Sequence, residues 1–469
     1  MTLTQIFVFT ALGLAAGRFY KVISRGWVLF VATALATFWL QPASAIRNLP
    51  FLLPVLSLGL AALVWAITSP REDKFARQDR LAAAVLVAIA LLLGATRYVE
   101  PLCCLTAARP PQIELIGLLA VVLAATALLG YRFARGQKPA LHIFTFLILA
   151  ILAMLKFEPL ARGTSAFLRT LAGQDPSLAS SLDFGWLGFS YISFRLIHAL
   201  RDRVAGRLPA IGLRDFVTYI VFFPALTAGP IDRAERFLPQ LAQQFILDGE
   251  AGLAAGKRLA MGLFMKFVLA DTLAFLALNS VNAYQVSSAA WSWVLLMAFS
   301  LRIFFDFAGY THIAIGLGLL FGILLPENFD RPYFKRNIAA FWNSWHITLA
   351  QWFRAYYFNP LTRYLRGRSL PVAFIVAFGQ LSTMALIGLW HGFTWNFLTW
   401  GLWHGLGLFA HNQWQQFAKT RTIIRSARLA HGLGVLSTFG FVTLGWVWFA
   451  LPEPEDAAHM IRLLFGMGE

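Results

Sequence analysis

The chain has 469 residues, of which 58% are hydrophobic and only 13% charged, and its mean hydropathy is +0.65. A soluble protein carries about 25% charged residues, so this composition excludes a soluble globular chain and points to an integral membrane protein. The net charge of +17 lies in short gaps between apolar runs, which reads as membrane topology and not as nucleic-acid binding.

The first half predicts spanning helices near 3–17, 27–41, 51–68, 81–96, 112–131, 139–156 and 183–200. These are too many for a signal peptide to be the explanation. The gaps alternate in charge. Basic-rich gaps hold Arg18, Lys21 and Arg25; Arg71, Lys74, Arg77 and Arg80; Arg132, Arg135 and Lys138; and Arg201, Arg203, Arg207 and Arg214. The gaps between them hold only Arg47; Arg97 and Arg109; and Arg162 and Arg169. The positive-inside rule places the rich gaps in the cytoplasm and the N-terminus outside. The only cysteines, Cys103 and Cys104, are adjacent and give neither a disulfide framework nor metal-ligand spacing.

From about residue 215 the pattern becomes irregular. The run Phe216–Leu226 is short, and 231–250 is too polar to span, which suggests a re-entrant or interfacial segment. Further spans are expected near 258–279, 290–308, 310–325, 371–389, 395–416 and 432–450. A polar, proline-punctuated loop covers 326–340, and 341–366 reads as an amphipathic helix lying partly in the membrane. Lys419, Arg421, Arg425 and Arg428 form another basic gap. The expectation is an all-α polytopic protein with about 11–14 transmembrane or re-entrant helices. Its N-terminal helices cover 1–182, an irregular core 183–450 and a tail 451–469.

Four clusters carry polar chemistry. Thr227-Ala-Gly-Pro-Ile-Asp-Arg233 is either a helix terminator with a neutralised Asp232/Arg233 pair or a bend lining a cavity. In Leu301-Arg-Ile-Phe-Phe-Asp306-Phe-Ala-Gly-Tyr310, a carboxylate inside a span needs a partner or a function. Arg302, one turn earlier, is the expected partner. His312, just beyond, reads as packing or polar lining. In Phe341-Trp-Asn-Ser-Trp-His346 and the residues up to Arg354, an unbroken helix would gather Asn343, His346 and Arg354 within about 80°, opposite Trp345 and Trp352. An interfacial helix would show that split too, so contact with substrate or a thioester donor stays one of two readings. Finally, Gly388-Leu-Trp-His-Gly392 recurs as Gly401-Leu-Trp-His-Gly405. On one helix His391 and His404 would point about 220° apart, so both would not line one cavity. A neutral imidazole is the cheapest ionisable group to bury and suits proton transfer near neutrality.

The ordered set TAGPIDR, FFDFAGY, PENFDRPYF, FWNSWH and GLWHGFTW, over about residues 185–450, resembles the membrane-bound O-acyltransferase superfamily. Within it, the resemblance is to the bacterial branch of the alginate O-acetylation membrane subunit and the teichoic-acid D-alanyl transfer protein. Ser344, Ala355 and His312 depart from that pattern, which expects a basic residue, an acid, and a small or acidic residue there. The resemblance implies a ring of tilted helices around a funnel, a catalytic His391, and a second family histidine at His346. Asn343, Arg354, Asp306, Trp390 and Trp345 are the expected substrate or donor contacts. It also implies a multi-pass protein of the inner membrane, with no metal and no bound cofactor. A cytoplasmic thioester, acetyl-coenzyme A or a phosphopantetheinyl acyl carrier protein, is the expected donor. Acetyl is the first expectation for the acyl group, going to an envelope polysaccharide through an extracytoplasmic acyltransferase partner. D-alanyl transfer is the alternative. A glycan or lipid transporter, with broken helices and buried ionisable groups among membrane lipids, is the rival from another class.

Overall fold

Backbone N–H and C=O groups have no water to bond in a bilayer, so apolar runs must satisfy them internally as helices. The computed structural model describes residues 1–19, 24–70, 75–99, 106–418 and 426–467. Lys21, Arg71, Lys74, Cys103, Cys104, Lys419, Arg421 and Arg425 lie outside these residues. The described residues form twenty α-helices and no strand. Seven helices are long and apolar enough to cross a membrane, judged by length and composition: Leu49–Thr68, Arg77–Tyr98, Ile113–Ala134, Lys138–Lys156, Ala289–Leu320, Val372–His391 and Ala427–Ala450. The chain is an all-helical, polytopic membrane protein.

Two compact units divide the chain. The first comprises Met1–Lys257 and Ala314–Pro326. Its helices are α1 (Leu3–Phe19), α2 (Arg25–Leu40), α3 (Leu49–Thr68), α4 (Arg77–Ala95), α5 (Ile113–Leu129), α6 (Lys138–Lys156), α7 (Glu158–Leu171), α8 (Phe189–Val204), α9 (Leu213–Ile220) and α10 (Ala234–Ala242). The second comprises Arg258–Ile313 and Glu327–Glu469. Helix α11 (Gly249–Phe264) leads into it, followed by α12 (Asp271–Ala274), α13 (Ala289–Leu320), α14 (Ile338–Trp342) and α15 (Ile347–Phe353). Then come α16 (Asn359–Arg366), α17 (Val372–His391), α18 (Trp395–Ala418), α19 (Ala427–Ala450) and α20 (Pro454–Leu464).

In the first unit, two buried guanidinium groups satisfy backbone that the helices leave open. Arg195 of α8, 1% exposed, donates to the carbonyls of Ile220 (3.0 Å), Ala225 (3.2 Å) and Pro230 (3.4 Å). Those carbonyls belong to the last residue of α9 and to the broken stretch after it that contains Thr227-Ala-Gly-Pro-Ile-Asp-Arg233. Asp232 Oδ1 accepts the Arg233 backbone N–H at 2.8 Å, and Tyr219 Oη donates to the Asp232 carbonyl at 3.1 Å. Irregular backbone at membrane depth is tolerated where protein covers it, and Arg195 supplies that cover. Arg25 does the same for helix ends, donating to Gln240 O (2.8 Å), Gln243 O (3.0 Å), Phe321 O (3.0 Å) and Gly322 O (2.7 Å). These are carbonyls that the last turns of α10 and α13 cannot satisfy within the helix.

Three sequence expectations need correction. The spans expected at 290–308 and 310–325 are one helix, α13, of 32 residues. Gly309 between them has no breaker beside it, and a helical glycine alone does not end a helix. Helix α7 (Glu158–Leu171) was not expected, because its apolar residues lie on one face and give no continuous run. The segment 341–366 is not one amphipathic helix. It breaks after Trp342 and restarts at Ile347, with His346 in the left-handed region at φ 42°.

Candidate active site

The break between α14 and α15 is held by the loop before it. Phe329 pairs with Trp345 as an isolated antiparallel bridge. The Asp330 N–H donates to Ser344 O at 3.0 Å, and the Ile347 N–H donates to Asn328 O at 3.0 Å. Ser344, where the family pattern expects a basic residue, is buried and turns its hydroxyl to Ala340 O at 2.6 Å. A left-handed conformation at a non-glycine residue costs about 1–3 kcal/mol and persists only where its surroundings impose it. Here the backbone pairing imposes it on His346.

His346 is 3% exposed. Its Nδ1 lies 3.3 Å from Asn328 Oδ1, which also accepts from the Thr348 N–H (3.2 Å) and the Thr348 hydroxyl (2.7 Å). The backbone N–H fixes that Asn328 atom as an oxygen, so Nδ1 carries the proton. Nε2 is then the basic nitrogen, and it has no hydrogen-bond partner among the described residues. Phe307 meets the imidazole edge-on at 4.7 Å between ring centroids.

His391 is the last residue of α17, which turns into α18 through three residues. The hairpin is closed by glycines from both copies of the pentapeptide. A Cβ on Gly388 would sit 2.1 Å from Phe397 O, and one on Gly401 would sit 2.4 Å from Met384 O. Only glycine permits this approach. It sets His391 against Trp400 (5.4 Å, 89°), Phe449 (4.9 Å) and Phe397 (5.9 Å).

His346 and His391 border one cavity of about 60 Å³. Trp342, Trp345, Trp400 and Trp446 are among its walls, and no wall residue is charged. Trp342 and Trp400 are buried, and their indole N–H groups have no acceptor among the described residues.

The sequence candidates divide on this geometry. His391, His346 and Trp345 line the cavity. Trp390 does not, but its ring lies 4.6 Å from that of His391 and 6.2 Å from that of His346. Trp345 lines the cavity because the helix break cancels the wheel that set it on the face away from Asn343, His346 and Arg354. Asn343 and Arg354 are not brought to the cavity. They are exposed and bonded to each other, Nη2 to Oδ1 at 2.7 Å. Asp306 is paired with Lys266 at 2.5 Å and not with Arg302. Lys266 reaches it from the π-helical turn after α11, a contact across more sequence than a one-turn rule can see. His312 bonds Arg258 at 3.0 Å, and Arg258 also pairs with Glu327.

His404 does not border the cavity. It is fully buried, with Trp400 (4.9 Å), Trp342 (5.3 Å) and Phe441 (5.8 Å) around its ring. Asn328 and Trp342 lie inside the ordered motifs and Trp400 directly precedes the second pentapeptide, but the sequence assigns none of them a part. The one signal that marks them is their place inside or beside the ordered motifs.

Elsewhere, His198, Asp202 and Glu235 bring possible ligand atoms within 4.8 Å of one another. Arg207 pairs with Asp202 there at 2.5 Å, and His198 Nε2 lies 3.3 Å from the same carboxylate.

The model of the membrane-bound O-acyltransferase family matches residues 135–451, more than half the chain. A teichoic acid D-alanyltransferase of Streptococcus thermophilus is 30% identical over 345 residues, covering 68% of this chain and 77% of that protein. A probable alginate O-acetylase of Pseudomonas aeruginosa is 32% identical over 284 residues, 60% of this chain and 52% of that protein. A peptidoglycan O-acetyltransferase of Helicobacter pylori is 33% identical over 257 residues, 54% of this chain and 47% of that protein. The chain thus spans about half the length of the two O-acetylating relatives. The match over residues 135–451, together with the relative covered over 77% of its length, identifies the chain as a member of the membrane-bound O-acyltransferase family.

Proposed function

We propose that this acyltransferase moves an acetyl group from a cytoplasmic thioester to hydroxyls of an envelope polysaccharide. The observation that carries this reading is the pair of histidines on one small, uncharged cavity. The neutral imidazole of His391 takes the proton of the attacking hydroxyl. The hydroxyl oxygen bonds to the thioester carbonyl carbon, and the carbon–sulfur bond breaks. The departing thiolate takes the proton back from His391. Such a base contributes about 10²–10⁴-fold.

His346 offers its Nε2 as an acceptor, with Asn328 holding the tautomer, and so orients the hydroxyl or the pantetheine amide. The Trp342 and Trp400 N–H groups are donors to the carbonyl oxygen as charge builds on it. Apolar walls keep water from hydrolysing the thioester.

The cavity also bears on the acyl group. It has room for a short acyl head, and none of its walls carries a carboxylate. A D-alanyl group brings an ammonium, and burying an unpaired charge is costly. These walls therefore favour acetyl, although the Streptococcus thermophilus relative is a D-alanyltransferase. The donor is acetyl-coenzyme A or an acyl carrier protein, drawn to the basic gaps that the positive-inside rule places in the cytoplasm. The same rule puts the N-terminus outside a cell inner membrane. Acceptors such as alginate and peptidoglycan belong to the named relatives, and an extracytoplasmic partner would complete delivery here.

The test is mass spectrometry of envelope glycans from cells lacking the protein, complemented with wild type or with His391→Gln. Acetyl esters that return with wild type and not with the variant support the proposal. D-alanyl esters in their place would overturn the acetyl assignment. Unchanged esters in the deletion would overturn the function.

A further inference from the structure

A cavity of about 330 Å³ lies in the first unit, among α3, α4 and α5, away from the histidines. Its walls run along α3 from Val55 to Trp65, along α4 from Arg80 to Ala90, and along α5 from Ala120 to Leu128 and on to Tyr131 in the π-helical turn after it. Ten residues of helix rise ~15 Å, which is half of the ~30 Å hydrocarbon core of a bilayer. The slot therefore has the length of one leaflet.

Its two ends differ in chemistry. One end is lined by small and aliphatic residues such as Val55, Ala90 and Ala120. At the other end Trp65, Phe75 and Tyr131 form a ring cluster, with centroids 5.5–5.9 Å apart. Arg80 lines that end, and the Arg135 guanidinium lies 4.5 Å over the Tyr131 ring. The nearby acid, Asp79, accepts the N–H groups of Leu213 (2.8 Å) and Ala76 (3.2 Å). Aromatic rings and arginines at one end of an apolar slot match the headgroup level of a membrane. The slot's walls also face outward: only 28% of the apolar window of α4 and 6% of that of α5 is buried within the protein.

We propose that this slot is a binding site for one anionic phospholipid, with an acyl chain between α3, α4 and α5 and its phosphate at Arg80. Basic pockets between membrane helices recognise anionic headgroups in this way. The lipid gives α5 the packing that the protein does not supply.

The experiment uses the full-length protein in nanodiscs with phosphatidylglycerol or phosphatidylcholine. Phosphatidylglycerol carrying a photoreactive group in its acyl chain is crosslinked, and the peptides are mapped. The site predicts labelling concentrated on 83–90 and 120–128, displaced by phosphatidylglycerol at least tenfold more effectively than by phosphatidylcholine. Labelling spread evenly over the outward helices would overturn the site, and equal displacement would overturn the anionic headgroup. Native mass spectrometry adds two variants. Ala124→Phe fills the slot and loses the retained lipid. Arg80→Gln keeps one lipid and loses the preference for phosphatidylglycerol. Retention by Ala124→Phe equal to wild type would place the chain elsewhere, and the crosslinking result stands even if that variant fails to fold. Acetyl transfer is measured separately and does not enter either readout.

Discussion

The pentapeptide Gly-Leu-Trp-His-Gly occurs twice, and its two histidines end in opposite situations. His391 closes helix α17 and borders the cavity shared with His346. His404 sits in the middle of α18, fully buried, with neither ring nitrogen bonded to any described residue. Their glycines, by contrast, serve one purpose, since Gly388 and Gly401 bring the two helices of the hairpin into backbone contact. The repeat is a packing motif first. In the proposed mechanism, chemistry falls to the copy whose histidine stands at a helix end beside a space. An imidazole in a membrane is therefore not by itself a sign of catalysis; it needs room beside it and a second polar group across that room.

The largest effect that sharpens this contrast is His391→Ala. It lowers turnover by about 10²–10⁴-fold while leaving expression and insertion unchanged, measured as thioester consumption in membranes. A loss under threefold would remove His391 from the chemistry. Trp400→Phe keeps the aromatic wall and deletes one N–H donor. Loss of a single oxyanion donor costs about 10²–10³-fold in turnover, and the lower end is expected here because Trp342 remains. A change in KM alone would show that Trp400 only shapes the cavity.

Asn328→Ala is a positioning change. It leaves the Thr348 N–H and the His346 Nδ1–H without their acceptor and lowers stability by about 1–3 kcal/mol. It also releases the His346 tautomer, so turnover falls and an aspartate at 328, which still accepts, restores most of it. Equal loss in the alanine and aspartate variants would argue against tautomer control. The smallest effect is His404→Leu. Replacing an unpartnered buried polar group by an apolar one is near neutral or stabilising. Turnover within threefold of wild type and an unchanged or raised Tm are expected. A loss as deep as that of His391→Ala would erase the distinction between the two copies.

The ion pair of Asp306 shows where local reading stops. Arg302 is one helical turn away and was the natural partner, yet Lys266 holds the carboxylate. Both choices satisfy the need to neutralise a charge in an apolar setting. Only the packing of the π-helical turn after α11 against α13 selects one. The polar face expected on 341–366 fails for a similar reason. Helical periodicity assumes an unbroken helix, and the antiparallel bridge between Phe329 and Trp345 breaks this one. That break sends Asn343 and Arg354 outward as a pair and brings Trp345 in.

By itself the sequence determined the class of the protein and most of its long helices, and it singled out the two histidines. Apolar length and charge placement are set residue by residue, and a bilayer enforces them without help from the rest of the fold. Tertiary structure alone decided which polar residues share a space. It twisted His346 into a left-handed turn, bonded Asn328 to it, assigned Lys266 to Asp306, and set Trp342 and Trp400 beside the cavity with N–H groups that no described residue accepts. These depend on contacts between segments distant in the chain, which carry no local periodicity. The slot among α3, α4 and α5 is of the same kind. Each helix reads as an ordinary span, and the space appears only where three such helices meet around small side chains.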